Sequence, residues 1–185
     1  MKMEEYGRVL DYLAQGRATD RYREPIAHVM GETYFTLLEV LIKKDSNLSI
    51  GERIYVGKEG RSEVERIKRR IEYLELTSTA KSQVESVIKE IVISKESEFV
   101  NFFNKCGSIS IRQHQLELLP GIGKKHTEEI KREREERPFD SFRDIQERVS
   151  LMPDPINVIV MRILEEIKTT TKYYLFAKPP IINKE

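Results

Sequence analysis

Apolar positions recur with a period of about two over the first third of the chain and with a helical period over most of the rest. Arg8 to Leu13 and Ile26 to Met30 are short apolar segments, and Tyr34 to Lys43 (YFTLLEVLIK) is rich in β-formers and apolar on both faces at its centre. Arg53 to Val56 alternates, sending Ile54 and Val56 one way and Arg53 and Tyr55 the other. Turn residues fall between these runs at Gly31-Glu32, Lys44 to Asn47, Gly51-Glu52 and Gly57 to Gly60. Ser62 and Glu65 fit a capping box that starts a short helix carrying Val64 and Ile67, with a last strand around Arg70 to Leu74. Five strands with one short helix before the last predict a small closed or partly open β-barrel of OB type over residues 1–76.

From Thr77 the period becomes helical. Val84, Val87, Ile88, Ile91 and Val92 share a face, and Phe99, Phe102 and Phe103 continue it on a second helix or after a kink near Ser94. Residues 77–106 therefore read as a helical connector. Ser110 caps an expected helix carrying Ile111, Gln115, Leu116 and Leu119, which Pro120-Gly121 stops before a new helix begins at Lys124. A second pair follows. Asp140 or Ser141 caps a helix running to Val149, Ser150 to Pro153 connect, Asp154 caps, and Pro155 opens a helix with Ile156, Ile159, Val160, Ile163 and Ile167 on its apolar face. The expected class is α+β, with an OB-like barrel, then an all-α domain of two helical hairpins over residues 107–168, then a tail over residues 169–185.

Charge changes this picture. Lys plus Arg total 32 against 31 Asp plus Glu, for a net charge of +1, so any polyanion-binding surface must arise by local clustering. At 39% apolar residues without Trp, small cores are within reach and a large hydrophobic ligand pocket is not expected. No run approaches the roughly 20 apolar residues of a membrane span. Glu4, Glu5 and Asp11 break any signal-peptide core, and the single Cys106 excludes an intrachain disulfide, so a cytoplasmic location is expected. His28, His114 and His126 stand far apart, without cysteines or paired carboxylates at metal-ligand spacing. No GxSxG elbow occurs, and the Gly123-Lys124 pair fails the phosphate-loop test because Leu118 and Lys125 stand where Gly and Ser or Thr are required. Cys106 reads as a small buried hydrophobe. No catalytic residue, metal or cofactor is expected.

The remaining chemistry lies in Leu119-Pro120-Gly121-Ile122-Gly123-Lys124-Lys125. Gly121 suits a positive φ after Pro, Gly123 lets the backbone approach an anion, and Ile122 points back to lock the turn. The unpaired N–H groups of the following helix face the same place, with Lys124 and Lys125 adding full charges. A tight connection that binds nothing is the plain alternative. Of the 14 residues from Lys124 to Arg137, six are basic and five acidic, which confines net positive charge to the first turn and implies weak, salt-sensitive affinity of about micromolar order or weaker. On the barrel, Lys68-Arg69-Arg70 with Arg53, Lys58 and Arg61 form either a nucleic-acid contact surface or a solvated face beside Glu63, Glu65 and Glu72. Tyr55 beside Arg53 either stacks on a base or covers the barrel.

The LPGIGKK turn between two expected helices resembles the helix-hairpin-helix family of sequence-nonspecific nucleic-acid-binding modules. The wider pattern includes MEEYGRVLDYL, REPIAHVMGETYFTLLEV, IGERIYVGK, VERIKRRIEYLELT and HQLELLPGIGKKH. It resembles, over roughly residues 3–168, the archaeal family catalogued as domain of unknown function 655, often labelled putative RNA-binding protein. That resemblance implies an OB-like barrel joined to a tandem helix-hairpin-helix region, and its labelling favours RNA over DNA as partner. The tail TTTKYYLFAKPPIINKE falls outside the shared pattern and reads as flexible or as an addition to a sheet edge. The expectation is thus a non-catalytic nucleic-acid binder with little sequence preference. Its rivals are a DNA-binding repair accessory and an adaptor in a ribonucleoprotein complex.

Overall fold

The computed structural model describes residues 3–180. The chain divides into two units, one taking residues up to Val87 together with those from Glu166 onward, the other Ile88–Glu165.

The first unit is built on a curled antiparallel sheet of β1 (Tyr6–Leu13), β2 (Ile26–Gly31), β3 (Leu37–Ile42), β4 (Arg53–Tyr55) and β5 (Val64–Arg70), in the order β4-β1-β2-β3-β5. The small barrel expected over these residues is seen in its open form, as a barrel-like curled sheet. β4 and β5 lie at opposite edges, so the sheet is a half-barrel, and no helix precedes the last strand. The Ser62 to Glu65 capping box is overridden because β3, buried at all six positions, needs a partner along its outer edge. Val64 and Ile67 supply it by pairing with Ile42 and Val40. Residues expected as the last strand instead contain a 3-10 turn, Tyr73–Glu75, in which Glu75 Oε2 accepts the Glu72 N–H at 2.8 Å.

One face of the sheet presents Val9, Val29, Leu38, Ala27 and Val40 to a core that Leu48, Ile54 and Val56 complete. The other face carries a stripe of polar residues. Asp11, His28, Glu39 and Arg69 are register partners across β1, β2, β3 and β5, and the His28–Glu39 pair lies between the apolar pairs Ile26–Leu41 and Met30–Leu37. Glu39 is only 3% exposed and His28 fully buried. Desolvation of a carboxylate there demands compensation, and Glu39 is surrounded by it. Arg17 pairs with Glu39 Oε2, while Lys68 Nζ and the Arg69 Nε each stand 3.7 Å from Oε1. His28 Nδ1 accepts the Thr77 N–H at 3.4 Å, and its Nε2 stands 3.2 Å from Arg17 Nη2 and 3.5 Å from Glu39 Oε2. Thr77 Oγ1 also donates to Asp11 Oδ2 at 2.6 Å and accepts the Ala80 N–H at 3.1 Å, so the stripe fixes the start of α1 (Ser78–Ser94).

Two more buried carboxylates act through backbone amides. Glu4 accepts the N–H groups of Thr33, Tyr34 and Thr36, shaping the β2–β3 turn. Glu166 accepts those of Leu175, Phe176 and Ala177 at 2.6 to 3.0 Å. Lys178 completes this anchoring: its N–H donates to the Tyr34 carbonyl and its carbonyl accepts from Arg70. Residues 169–180 are therefore strapped within the first unit, and no strand is formed among them.

The second unit contains the end of α1, then α2 (Glu96–Lys105), β6 (Ser108–Ser110), β7 (Gln113–His114), α3 (Lys124–Glu136), α4 (Phe142–Arg148) and most of α5 (Pro155–Lys168). An all-α tandem helical domain is contradicted by the β6–β7 ribbon, which with a 3-10 turn, Gln115–Leu118, replaces the helix expected from Ser110 to Leu119. Ser110 does accept a backbone N–H, but from Arg112 at 3.2 Å inside the ribbon's turn, and Ile111 projects fully into solvent there. His114 is the actual cap. Its Nδ1 accepts the Leu116 N–H at 3.2 Å, and Glu117 Oε2 accepts the His114 N–H at 3.1 Å. The later pair forms as patterned, with Ser141 Oγ accepting the Asp144 N–H at α4 and Asp154 Oδ1 the Ile156 N–H at α5.

Glu39→Ala leaves Arg17 and Lys68, both part-exposed, without a carboxylate while Arg69 keeps Glu75, and should destabilise the protein by about 2 kcal/mol, read from urea unfolding. Burial lowers the pKa of His28 from its ordinary 6.5, outweighing the opposite pull of Glu39. The unfolded chain then binds the proton first, so this contribution is complete above about pH 6.5 and is lost as pH falls below it towards the folded value. The fall in Tm between pH 7.5 and 5 should be smaller in His28→Gln than in the parent chain.

Candidate nucleic-acid interface

Leu116, Leu119 and Ile122 are buried and hold the turn from below, while Pro120, Gly121, Gly123, Lys124 and Lys125 are exposed. Gly121 has φ +80°, a region that costs any side chain with a Cβ, and packs near Pro153 of the α4–α5 connector. Gly123 differs: its φ is −103°, and a Cβ there would meet nothing within 4 Å. Its conformation does not demand glycine. What its lack of a side chain provides is open access to the backbone at the start of α3.

That backbone has donors to offer. Ile122 N–H is used by the Leu119 carbonyl and Thr127 N–H by the Gly123 carbonyl. Among the described residues, no protein acceptor takes the N–H groups of Gly123, Lys124, Lys125 or His126. They point out at the positive end of a 13-residue helix.

The charges on α3 sort themselves in the same way. Lys131 pairs with Glu128, Arg132 with Glu129 and Glu133, and Arg137 with Asp140 and Asp144. Arg134 donates to the carbonyls of Phe103 and Cys106. Lys124 and Lys125 enter no ion pair among the described residues. Beside them, Glu129 accepts the Ser150 N–H and His126 Nε2 donates to the Leu151 carbonyl at 3.2 Å, so the α4–α5 connector is tied against the turn. Leu151 stands there at φ 53° and 90% exposed. Nothing in the apolar periodicity marked it, because Leu151 lies between helices rather than on a helix face.

The candidates of the first unit lie on two opposite sheet edges. On β4, Arg53 stacks on Tyr6 at 3.6 Å from the ring centroid and pairs with the buried Glu32, and Tyr55 meets Tyr6 edge to face at 5.2 Å. Lys58 is exposed in the following loop. Lys68, Arg69 and Arg70 lie on β5, with β1, β2 and β3 between them and Tyr55. Lys68 and Arg69 are drawn to Glu39, and Arg69 also to Glu75, while Arg70 reaches the Lys178 carbonyl. A closed barrel would have brought these two sets together; the open sheet separates them.

Cys106 is buried, and desolvation pushes its thiol up to about 11 despite the nearby Arg134, so it is protonated at neutral pH. Burial also lowers the pKa of His114, helped by Arg134 and Lys131, consistent with a neutral ring accepting the Leu116 amide. Among the described residues there is no cluster of His, Cys, Asp and Glu that could hold a metal, and no helix is long and apolar enough to cross a membrane.

An open antiparallel half-barrel followed by a helical unit with a short β-ribbon and one cationic, amide-presenting turn defines an α+β protein. The chain belongs to the family described as protein of unknown function (DUF655), whose model matches residues 3–178 and so takes in the strapped segment as well. It is 43% identical over 179 residues to the uncharacterized protein MJ0038 of Methanocaldococcus jannaschii, covering 96% of this chain and 81% of that one. The crystal structure of Af1531 from Archaeoglobus fulgidus superposes with a TM-score of 0.87 at 47% identity, covering 95% of this chain and all of that one.

The two glycines should respond differently to substitution. Gly121→Ala forces a Cβ into positive φ and should cost about 1 kcal/mol, whereas Gly123→Ala should stay within about 0.5 kcal/mol of the parent, both measured by chemical denaturation.

Proposed function

We propose that this protein is a non-catalytic nucleic-acid-binding protein that grips the phosphate backbone at Gly121 to Lys125. The observation that carries this reading is the coincidence, on one exposed turn, of amides without protein acceptors and two lysines without carboxylate partners. Backbone amides and a helix N-terminus complement a phosphate of any sequence, and the two ammonium groups neutralise it. Readout of bases requires side chains reaching a base edge, and the turn offers two glycines and two flexible lysines. Sequence preference is therefore slight. RNA is the favoured polymer through the family's labelling, with DNA as the alternative, and the Arg53, Tyr55 and Lys58 edge is the second contact surface.

A protein-docking reading draws on Leu151, exposed beside the turn. The two are separated by charge: docking through Leu151 is insensitive to salt and is lost in Leu151→Ser, whereas phosphate binding follows the lysines.

Filter binding of structured RNA, duplex DNA and single strands across a salt series tests the proposal. Lys124→Glu with Lys125→Glu should weaken binding at least about tenfold and reduce the slope of log K against log salt by about 1.4 for single strands or about 1.8 for duplex DNA. An unchanged slope overturns it.

A further inference from the structure

The first unit contains a cavity of about 470 Å³, within the range of small-ligand sites. It lies between the end of β5, the 3-10 turn Tyr73–Glu75, the end of α5 and the strapped segment. Leu37, Ile71 and Ala177 form buried parts of its lining, and Leu74, 79% exposed, gives an apolar shelf. Its charges are unevenly committed. Glu166 is spent on three backbone amides, and Glu75 on Arg69 and the Glu72 amide.

Two cations of the lining have no carboxylate partner among the described residues. Arg70 is half-buried, donates to the Lys178 carbonyl, and has no carboxylate within ion-pair distance among the described residues. Burial pulls its pKa below the ordinary guanidinium value, while Glu72, beyond ion-pair distance, acts in the opposite sense. Lys168, the last residue of α5, sits 5.1 Å from the Tyr73 ring centroid and has no carboxylate partner among the described residues. A guanidinium that has lost part of its hydration without gaining a counter-charge is matched by a doubly acceptor anion, which an Arg can bind through two parallel bonds.

We propose that this cavity binds the phosphate of a phosphorylated ligand of mononucleotide size, with Arg70 and Lys168 holding the phosphate and Tyr73 and Leu74 lying along the attached group. The same chemistry is presented by a free mononucleotide and by the 5′-phosphorylated end of a strand. The site is separate from the Gly121 to Lys125 turn and does not rest on it.

Calorimetric titration of the full chain tests this with four probes: 5′-AMP, adenosine, and a tetranucleotide with and without a 5′-phosphate. Saturable binding of AMP, at least about tenfold tighter than adenosine, is expected from loss of one charge-assisted contact set. AMP alone gaining from its phosphate identifies a free nucleotide site; a gain of the phosphorylated tetranucleotide over its unphosphorylated form identifies a strand end. Arg70→Gln and Lys168→Gln should each weaken the phosphorylated probe at least about tenfold, and among the described residues the Lys168 ammonium makes no hydrogen bond whose loss would confuse folding with binding. Lys124→Glu with Lys125→Glu should leave it unchanged, so failure of the turn as a nucleic-acid contact would not touch this result. Equal binding of phosphorylated and unphosphorylated probes, no saturable binding of either phosphorylated probe, or insensitivity to Lys168→Gln overturns the proposal.

Discussion

A carboxylate buried in a polar stripe that runs between apolar pairs on one sheet face is the constraint around which the first unit is arranged. A loop residue, Arg17, and two residues of the edge strand, Lys68 and Arg69, converge on Glu39 from different parts of the chain. His28, beside it, passes the contact to Thr77 and so to the start of α1. Such a cluster adds little net stability over a well-packed apolar one, but it discriminates strongly among alternatives. Sliding β3 by one residue would turn Glu39 into the Val29 and Leu38 core with no cation at hand.

The same habit recurs through a chain that is about one-third charged with a net charge of +1. Glu4 and Glu166 collect amides, Glu32 holds Arg8 and Arg53, and Lys131 and Arg132 of α3 pair with acids of the same helix. Charge is spent internally on joining loops, edges and helix starts. Among the cations left without a carboxylate, Lys124 and Lys125 share one turn with unpaired amides, and Arg70 and Lys168 line one cavity.

Legibility in the sequence followed the range of the interactions concerned. β1 to β4 were readable because alternation and turn residues are local, and so was the turn around Gly121, whose positive φ, buried Ile122 and helix start depend on adjacent residues. β5 was misread as helix followed by strand, since its conformation is decided by the bare edge of β3 and not by Ser62 and Glu65. The ribbon at Ser108 to His114 was misread because Ser110 looks the same whether it caps a helix or a two-residue turn. The cluster at Glu39 left no trace, as its members are spread from Asp11 to Thr77 and meet only once the strands are in register. The cavity was equally hidden, because Arg70 and Lys168 are brought to one place only by the fold.

The strap held by Glu166 has a consequence for biosynthesis. The sheet leaves the ribosome early, yet the residues that seal one side of it, Glu166 and Leu175 to Lys178, are made only after the whole intervening unit has been translated. At usual elongation speeds that interval is on the order of ten seconds. During it the nascent sheet must wait, with Arg70 still lacking the Lys178 carbonyl, until the last segment arrives to dock.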